Sequence, residues 1–160
     1  MLTVGDRAPE ATVFLGPHEP VTIAELVEDG PKLLFFFPFA WSSTCTNEME
    51  LLRDRKEEFD ALGVQPIGVS RDSPWTHIAW RQVLDLNFGL LSDWNAEAVN
   101  GFGIAYTYRG FNEVAERSAF LIDEQGVIRG AWKYDSGEIP DVDALLEACR
   151  TDLHPSDQPA

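Results

Sequence analysis

The sequence predicts an α/β fold, a central mixed β-sheet flanked by helices on both faces. Two nearly continuous apolar runs, Lys32–Phe37 and Val64–Ser70, have the composition of strands buried on both sides. Stretches with helical spacing alternate with them, the order of an α/β chain. Near the C-terminus, Arg117–Asp123 and Val127–Tyr134 flank Glu124-Gln125-Gly126, which is a hairpin signature.

Each element has a local reason. Val13–Leu15 and Val21–Ile23 read as short strands around the Gly16-Pro17 turn. The run Lys32–Phe37 is ended by Pro38, and Phe35, Phe36 and Phe37 are expected core. From Thr44 to Leu62, Met49, Leu52, Lys56, Phe59 and Leu62 recur at spacings of three and four, and Gly63 closes the helix. Lys56 can join that stripe through its apolar stem. After the strand Val64–Ser70, Ser73-Pro74 opens a helix that runs to about Leu86, with proline in the favoured first turn. Phe88–Leu91 reads as a short strand, Ala96–Phe102 as a brief helix, and Asp141–Leu153 as a final amphipathic helix. Residues 1–153 are expected to form one domain, and 154–160 a polar C-terminal tail.

Composition excludes several partners. The 27 acidic and 12 basic residues give a net charge of −15. Such a surface repels nucleic-acid backbones and anionic membranes, so neither is expected to bind. Only Lys32, Lys56 and Lys133 are lysines, an acid-rich, lysine-poor balance like that of proteins from a high-salt cytoplasm. No apolar run approaches the roughly 18–20 residues that span a bilayer. The start, Met1-Leu2-Thr3-Val4-Gly5-Asp6, lacks a signal-peptide pattern, so a cytoplasmic setting is expected. Cys45 and Cys149 are too few for a disulfide framework and too distant for a local zinc clip. His18, His77 and His154 are scattered without ligand spacing. No metal and no cofactor are expected.

The chemistry concentrates where the first central strand meets the long helix, in Pro38-Phe39-Ala40-Trp41-Ser42-Ser43-Thr44-Cys45-Thr46-Asn47-Glu48. A strand that stops at proline and re-enters as a helix puts Cys45 in the first helical turn. Unpaired N–H groups and the helix dipole there favour a thiolate and can cradle an oxygen anion. Thioredoxins place Trp-Cys-x-x-Cys at such a junction. Here Trp41 is followed by Ser42-x-x-Cys45, so a hydroxyl stands where the partner thiol would be. One activated thiol with one nearby hydroxyl suits reduction of an oxygen–oxygen bond.

This stretch resembles the peroxiredoxin active-site motif Pro-x-x-x-Thr/Ser-x-x-Cys, met by Pro38, Ser42 and Cys45. The resemblance continues through Gly68-Val69-Ser70, Ser73–Trp80 with His77, Leu90–Asp93, Phe111-Asn112 and Arg117–Arg129, and covers Leu2 to about Cys149. Within the family it is most similar to the one-cysteine, alkyl hydroperoxide reductase E-like group. It implies a thioredoxin-like fold and a thiol-dependent peroxidase acting on hydrogen peroxide and organic hydroperoxides. Cys45 would be the peroxidatic thiolate. Arg117 would stabilise the thiolate and the charge moving onto the peroxide oxygens, Ser42 would align the peroxide, Pro38 would exclude water, and Glu48 would orient the arginine. Serine stands at 42 where the family usually has threonine. For Arg117 the competing reading is an ordinary surface charge, because Arg109 and Arg129 lie near it in sequence. His77 and Trp80 read as packing and loop anchors.

The cycle must then be closed by a thiol before over-oxidation. Cys149 is the only internal candidate for a resolving cysteine. It falls on the apolar stripe Val142, Leu145, Leu146, Cys149, and lacks the Val-Cys-Pro setting of two-cysteine peroxiredoxins. Core packing is therefore the favoured reading for it, with an external thiol reductant, a redoxin or a low-molecular-weight thiol, completing the cycle. The family's habit points to a homodimer. Alternatives are a two-cysteine peroxidase resolved by Cys149, a thiol–disulfide oxidoreductase on the same fold, and a non-catalytic interaction module.

Overall fold

The computed structural model describes residues 1–153, and the polar tail read at 154–160 lies outside the described residues. In chain order the first elements are β1 (Thr12–Phe14), β2 (Pro20–Thr22), α1 (Ile23–Leu26), β3 (Lys32–Phe36) and α2 (Ser43–Ala61). Then come β4 (Gln65–Ser70), α3 (Pro74–Leu84), β5 (Leu90–Ser92), α4 (Glu97–Gly101), β6 (Ala105–Tyr108) and β7 (Phe111–Ala115). The chain continues with β8 (Ser118–Ile122), β9 (Ile128–Lys133) and α5 (Val142–Asp152).

Seven strands join in the order β2-β1-β5-β4-β3-β8-β9, while β6 pairs with β7 alone. The three inner strands β3, β4 and β5 are parallel, and α2 and α3 are their crossovers. Beyond β3 the sheet goes on antiparallel through β8 and β9; beyond β5 it does so through β1 and β2. The sheet is mixed, as its sequence pattern predicts.

Alternation along β3 divides the core in two. Leu34 and Phe36 pack with Ile23 and Leu26 of α1 and Ala98 and Val99 of α4. Leu33, Phe35 and Phe37 face the other way, among Met49, Leu52 and Phe59 of α2, Trp80 of α3 and Leu145 of α5. All five β3-run side chains from Leu33 to Phe37 are completely buried. Each such residue stabilises by roughly 1.5–3 kcal/mol, so the turn that follows β3 starts from a rigid base. Among the described residues no helix is long and apolar enough to cross a membrane.

Three local readings change. Ile23 begins a helix instead of ending a strand, because Thr22 and Glu25 form a reciprocal capping box. The strand expected at Phe88–Leu91 is shifted to Leu90–Ser92, with Phe88 buried in the core before it. Residues 105–115, left without elements above, fold as the β6–β7 hairpin. Both strands are partly exposed, so no continuous apolar run marks them.

Candidate active site

The end of β3 and the start of α2 are joined by a turn that is tied down twice. Phe37 N–H donates to the Val69 carbonyl at 3.0 Å, and Ala40 N–H donates to Asp72 Oδ2 at 2.8 Å. The next residue, Trp41, holds a left-handed φ of 75°. That conformation costs a side-chain-bearing residue on the order of 1 kcal/mol and persists only where its surroundings enforce it. Ser42 then caps α2: its Oγ accepts from Cys45 N–H at 3.4 Å, and its carbonyl accepts from Thr46 N–H at 2.9 Å. Cys45 is thereby fixed in the first turn, with its side chain 1% exposed.

Arg117 reaches the same point from the start of β8. Its Nη2 donates to Cys45 Sγ at 3.0 Å, its Nε donates to the Ser136 carbonyl at 3.3 Å, and its Nη1 donates to Glu48 Oε2. Both members of the Arg117–Glu48 pair are essentially buried, at 2% and 1% side-chain exposure. Burial works against the guanidinium's charge, but Glu48 and Cys45 more than offset it and hold the Arg117 pKa above its ordinary value. Burial pushes the Glu48 carboxyl up to about 7, against the downward pull of Arg117. Glu48 Oε1 has no partner, so Arg117 is this carboxyl's one hydrogen-bonding neighbour among the described residues.

Pro38, Ser42 and Arg117 line one cavity of about 380 Å³, together with Phe39, Thr44 and Tyr108 among others. The fold thus gathers Cys45, Ser42, Arg117, Pro38 and Glu48, drawn from a turn, a helix and the residue before β8, with Arg117 69 residues from Glu48 and 72 from Cys45. Arg117 is a buried residue rather than an ordinary surface charge. Cys149 sits elsewhere, on the buried stripe of α5 among Val142, Leu145 and Leu146, and makes no hydrogen bond to Arg117 or Glu48 among the described residues. Burial pushes its pKa up to about 12, with Asp152 adding to the rise.

A second, partly buried network supports the turn. Ser70 Oγ donates to Asp72 Oδ2 at 2.6 Å, accepts from Asp72 N–H at 3.2 Å, and meets His77 Nε2 at 2.7 Å. The one hydroxyl proton of Ser70 goes to the carboxylate, so Nε2 of His77 must carry the proton in their contact. That leaves His77 Nδ1 bare, buried and without a hydrogen-bond partner among the described residues. Burial lowers the His77 pKa to about 4, against the raising influence of Asp72, so the ring is neutral at physiological pH. His77 and Trp80, which stack within 6.3 and 5.3 Å of Phe37, are anchors as their sequence setting suggests. Sequence reasoning missed Asp72, because its bond to Ala40 spans 32 residues and no local spacing announces it.

A cysteine at a strand-to-helix junction, facing an arginine instead of a second thiol, is a site built on one local thiol within a thioredoxin-like fold. Residues 4–131 match the AhpC/TSA family, and the chain belongs to that peroxiredoxin family. It is 34% identical over 145 residues to alkyl hydroperoxide reductase E of Mycobacterium tuberculosis, covering 88% of this chain and 92% of that protein. It is 32% identical over 136 residues to the chloroplastic 2-Cys peroxiredoxin BAS1 of Spinacia oleracea, covering 79% of this chain. The chain spans about half the length of that chloroplastic protein, 50%. The solved structure of Mycobacterium tuberculosis AhpC superposes with a TM-score of 0.82 at 25% identity, covering 100% of this chain and 97% of the other.

Proposed function

We propose that this protein is a thiol-dependent peroxidase in which Cys45 reduces hydrogen peroxide and organic hydroperoxides. The observation that carries the reading is the 3.0 Å contact from Arg117 Nη2 to Cys45 Sγ at the first turn of α2. The Sγ thiolate attacks the terminal peroxide oxygen. A sulfur–oxygen bond forms as the oxygen–oxygen bond breaks, and the second oxygen leaves as hydroxide or alkoxide, to be protonated by water. Sulfur is oxidised by two electrons to the sulfenic acid, and the peroxide is reduced to water or an alcohol. Arg117 stabilises charge on the sulfur and on the oxygens, and Glu48 fixes the guanidinium's orientation. Ser42 has an oxygen engaged by the helix cap and a hydroxyl proton left to align the peroxide. Pro38, buried beside the cavity, limits water and so keeps these interactions strong.

An external thiol then condenses with the sulfenic acid, releasing water and leaving a mixed disulfide that a second thiol reduces. The burial of Cys149 and its pKa near 12 support this one-cysteine cycle over an internal disulfide, since a resolving residue must act as a thiolate. A cytoplasmic setting and a homodimer complete the reading. Trp41, Trp75 and Trp94, each more than half exposed, are apolar surface of the kind a second copy covers.

Intact mass after one equivalent of peroxide tests the cycle, repeated on Cys45→Ser and Cys149→Ser. A sulfenic acid trapped on Cys45 by a non-thiol probe is the expected product in wild type and in Cys149→Ser. Loss of two hydrogens that requires both cysteines would replace the one-cysteine cycle with a two-cysteine one. Peroxide consumption no faster than that of free cysteine would leave only a binding module.

A further inference from the structure

The cavity beside Cys45 differs in charge from every other cavity described. Each of the other four is lined by at least two carboxylates, among them Glu10 and Glu97, Asp123 and Asp152, Glu25 and Asp29, and Asp29 and Asp60. This one has no acidic lining residue and carries two arginines, Arg109 and Arg117. In a chain of net charge −15 that is a local reversal of sign. Arg117 is already engaged by Glu48 and Cys45. Most basic residues of the chain sit in ion pairs, whereas Arg109 has no carboxylate within ion-pair distance among the described residues. It is the uncommitted positive charge at the mouth.

The position of Arg109 is also conformationally unusual. Arg109 and Gly110 form the two-residue turn between β6 and β7, with φ of 50° and 87°. Both central residues of such a turn need positive φ, and the first is ordinarily Asn, Asp or Gly. An arginine there is strained by its Cβ, and strain of this kind collects where a side chain has a task. The guanidinium lies over Tyr108, with Cζ 5.3 Å from the ring centroid. Tyr108 and Phe39 continue as an aromatic rim, with centroids 6.3 Å apart, and Phe111 packs 5.0 Å from Phe39. About 380 Å³ is room for roughly a dozen waters at ~30 Å³ each, far more than hydrogen peroxide fills.

We propose that this cavity receives a small reactant with an apolar body and a carboxylate, and that Arg109 binds the carboxylate. The inference rests on the peroxidase reading, and it names the chemistry of a reactant at that same site. The rim covers the apolar body, Arg109 pairs with the carboxylate, and the reacting atom points down to Cys45 between Ser42 and Arg117. Elsewhere the protein's negative field repels an anionic reactant; a carboxylate-free mouth with a free arginine admits it. A hydroperoxide with a carboxylate has this chemistry, and so has a carboxylated thiol reductant.

Stopped-flow tryptophan fluorescence on the full chain separates these cases. Cumene hydroperoxide and its para-carboxylate form one matched pair, 2-mercaptoethanol and mercaptoacetate acting on the oxidised protein the other. Arg109→Gln is expected to slow the carboxylated member of one pair by about tenfold, the loss of one charge-assisted contact, and to leave the neutral member unchanged. Arg109→Lys should restore part of the rate. The pair affected identifies whether peroxide or reductant supplies the carboxylate. Equal slowing of charged and neutral members, or no change in either pair, overturns the proposal. Calorimetric titration of Cys45→Ser with the para-carboxylate of cumyl alcohol reads binding without chemistry. Binding that Arg109→Gln abolishes supports the subsite even if peroxide turnover fails, and absence of binding counts against the subsite alone.

Discussion

The Arg117 guanidinium bridges two buried acids, donating through Nη2 to Cys45 Sγ at 3.0 Å and through Nη1 to the Glu48 carboxylate. One planar fork therefore sets both the charge near the sulfur and the direction from which it acts. Arg117→Met is expected to slow Cys45 oxidation by roughly 100- to 1000-fold, the usual loss of one preorganised donor at a reacting centre. Arg117→Lys keeps the charge without the fork and should recover only part of the rate. Stopped-flow rates against peroxide concentration check both; a wild-type rate in Arg117→Met would remove the arginine from the mechanism.

Glu48 and His77 should pull the pH dependence of stability in opposite directions. The Glu48 pKa rises from 4.5 unfolded to about 7 folded, so its stabilising contribution is complete below 4.5 and lost as pH climbs through 7. For His77 the value falls from 6.5 to about 4, so its contribution is complete above 6.5 and lost as pH drops through 4. Each swing is on the order of 3.4 kcal/mol at 1.36 kcal/mol per unit. Glu48→Gln should therefore make stability rise more steeply with pH between 4.5 and 6.5 than in wild type. His77→Gln should make it fall across the same window. Urea unfolding at stepped pH reads both slopes, and parallel curves for the three proteins would contradict the assignment.

Ser42 caps the helix through its oxygen, and in the proposed mechanism its hydroxyl proton is the donor to the peroxide. Ser42→Ala is expected to cost about 1 kcal/mol from the lost cap. It should also slow peroxide reduction well beyond what that destabilisation explains. Ser42→Thr preserves cap and hydroxyl and adds a methyl that narrows the rotamer choice, so it should match or exceed the wild-type rate. A rate unchanged in Ser42→Ala would confine this residue to capping.

The sheet's parallel centre was legible because Leu33–Phe37 and Pro66–Val69 are buried on both faces and leave a nearly continuous apolar record. Cys45, Ser42 and Pro38 were legible because a strand-to-helix turn is local, and the family resemblance added Arg117 and Glu48 from distant positions. The β6–β7 hairpin was not, since its half-exposed strands alternate weakly and its turn carries Arg109 where Asn or Asp would have signalled. Asp72 was invisible for a different reason. Its role depends on a backbone N–H 32 residues away, and only the packed fold brings that group near.

Asp72 gives a prediction of its own. Its carboxylate accepts from Ala40 N–H and Ser70 Oγ, directly before the strained Trp41. Asp72→Ala leaves both donors without that acceptor, a loss of about 1–3 kcal/mol for buried groups. The freed turn should also lower the peroxide rate by about tenfold, because misplacing Ser42 by a fraction of an ångström spoils alignment. Asp72→Asn retains an oxygen for Ala40 and should keep most of the rate. Loss of stability with an unchanged rate constant would restrict Asp72 to folding.

Cys149 separates core from chemistry. It is completely buried on the α5 stripe beside Leu145 and Leu146, with a thiol whose pKa is pushed up to about 12. Cys149→Ser places a hydroxyl in that apolar setting and should destabilise by about 1–3 kcal/mol. Cys149→Ala leaves a small cavity instead and should cost a similar or smaller amount. Neither should change the rate of Cys45 oxidation or of turnover with an added thiol, because in the proposed cycle the sulfenic acid is reduced from outside. Steady-state turnover with dithiothreitol, set beside urea unfolding of the same variants, reads the two effects separately. Turnover with a redoxin that fails in both variants while Cys45 still oxidises at the wild-type rate would make Cys149 the resolving thiol.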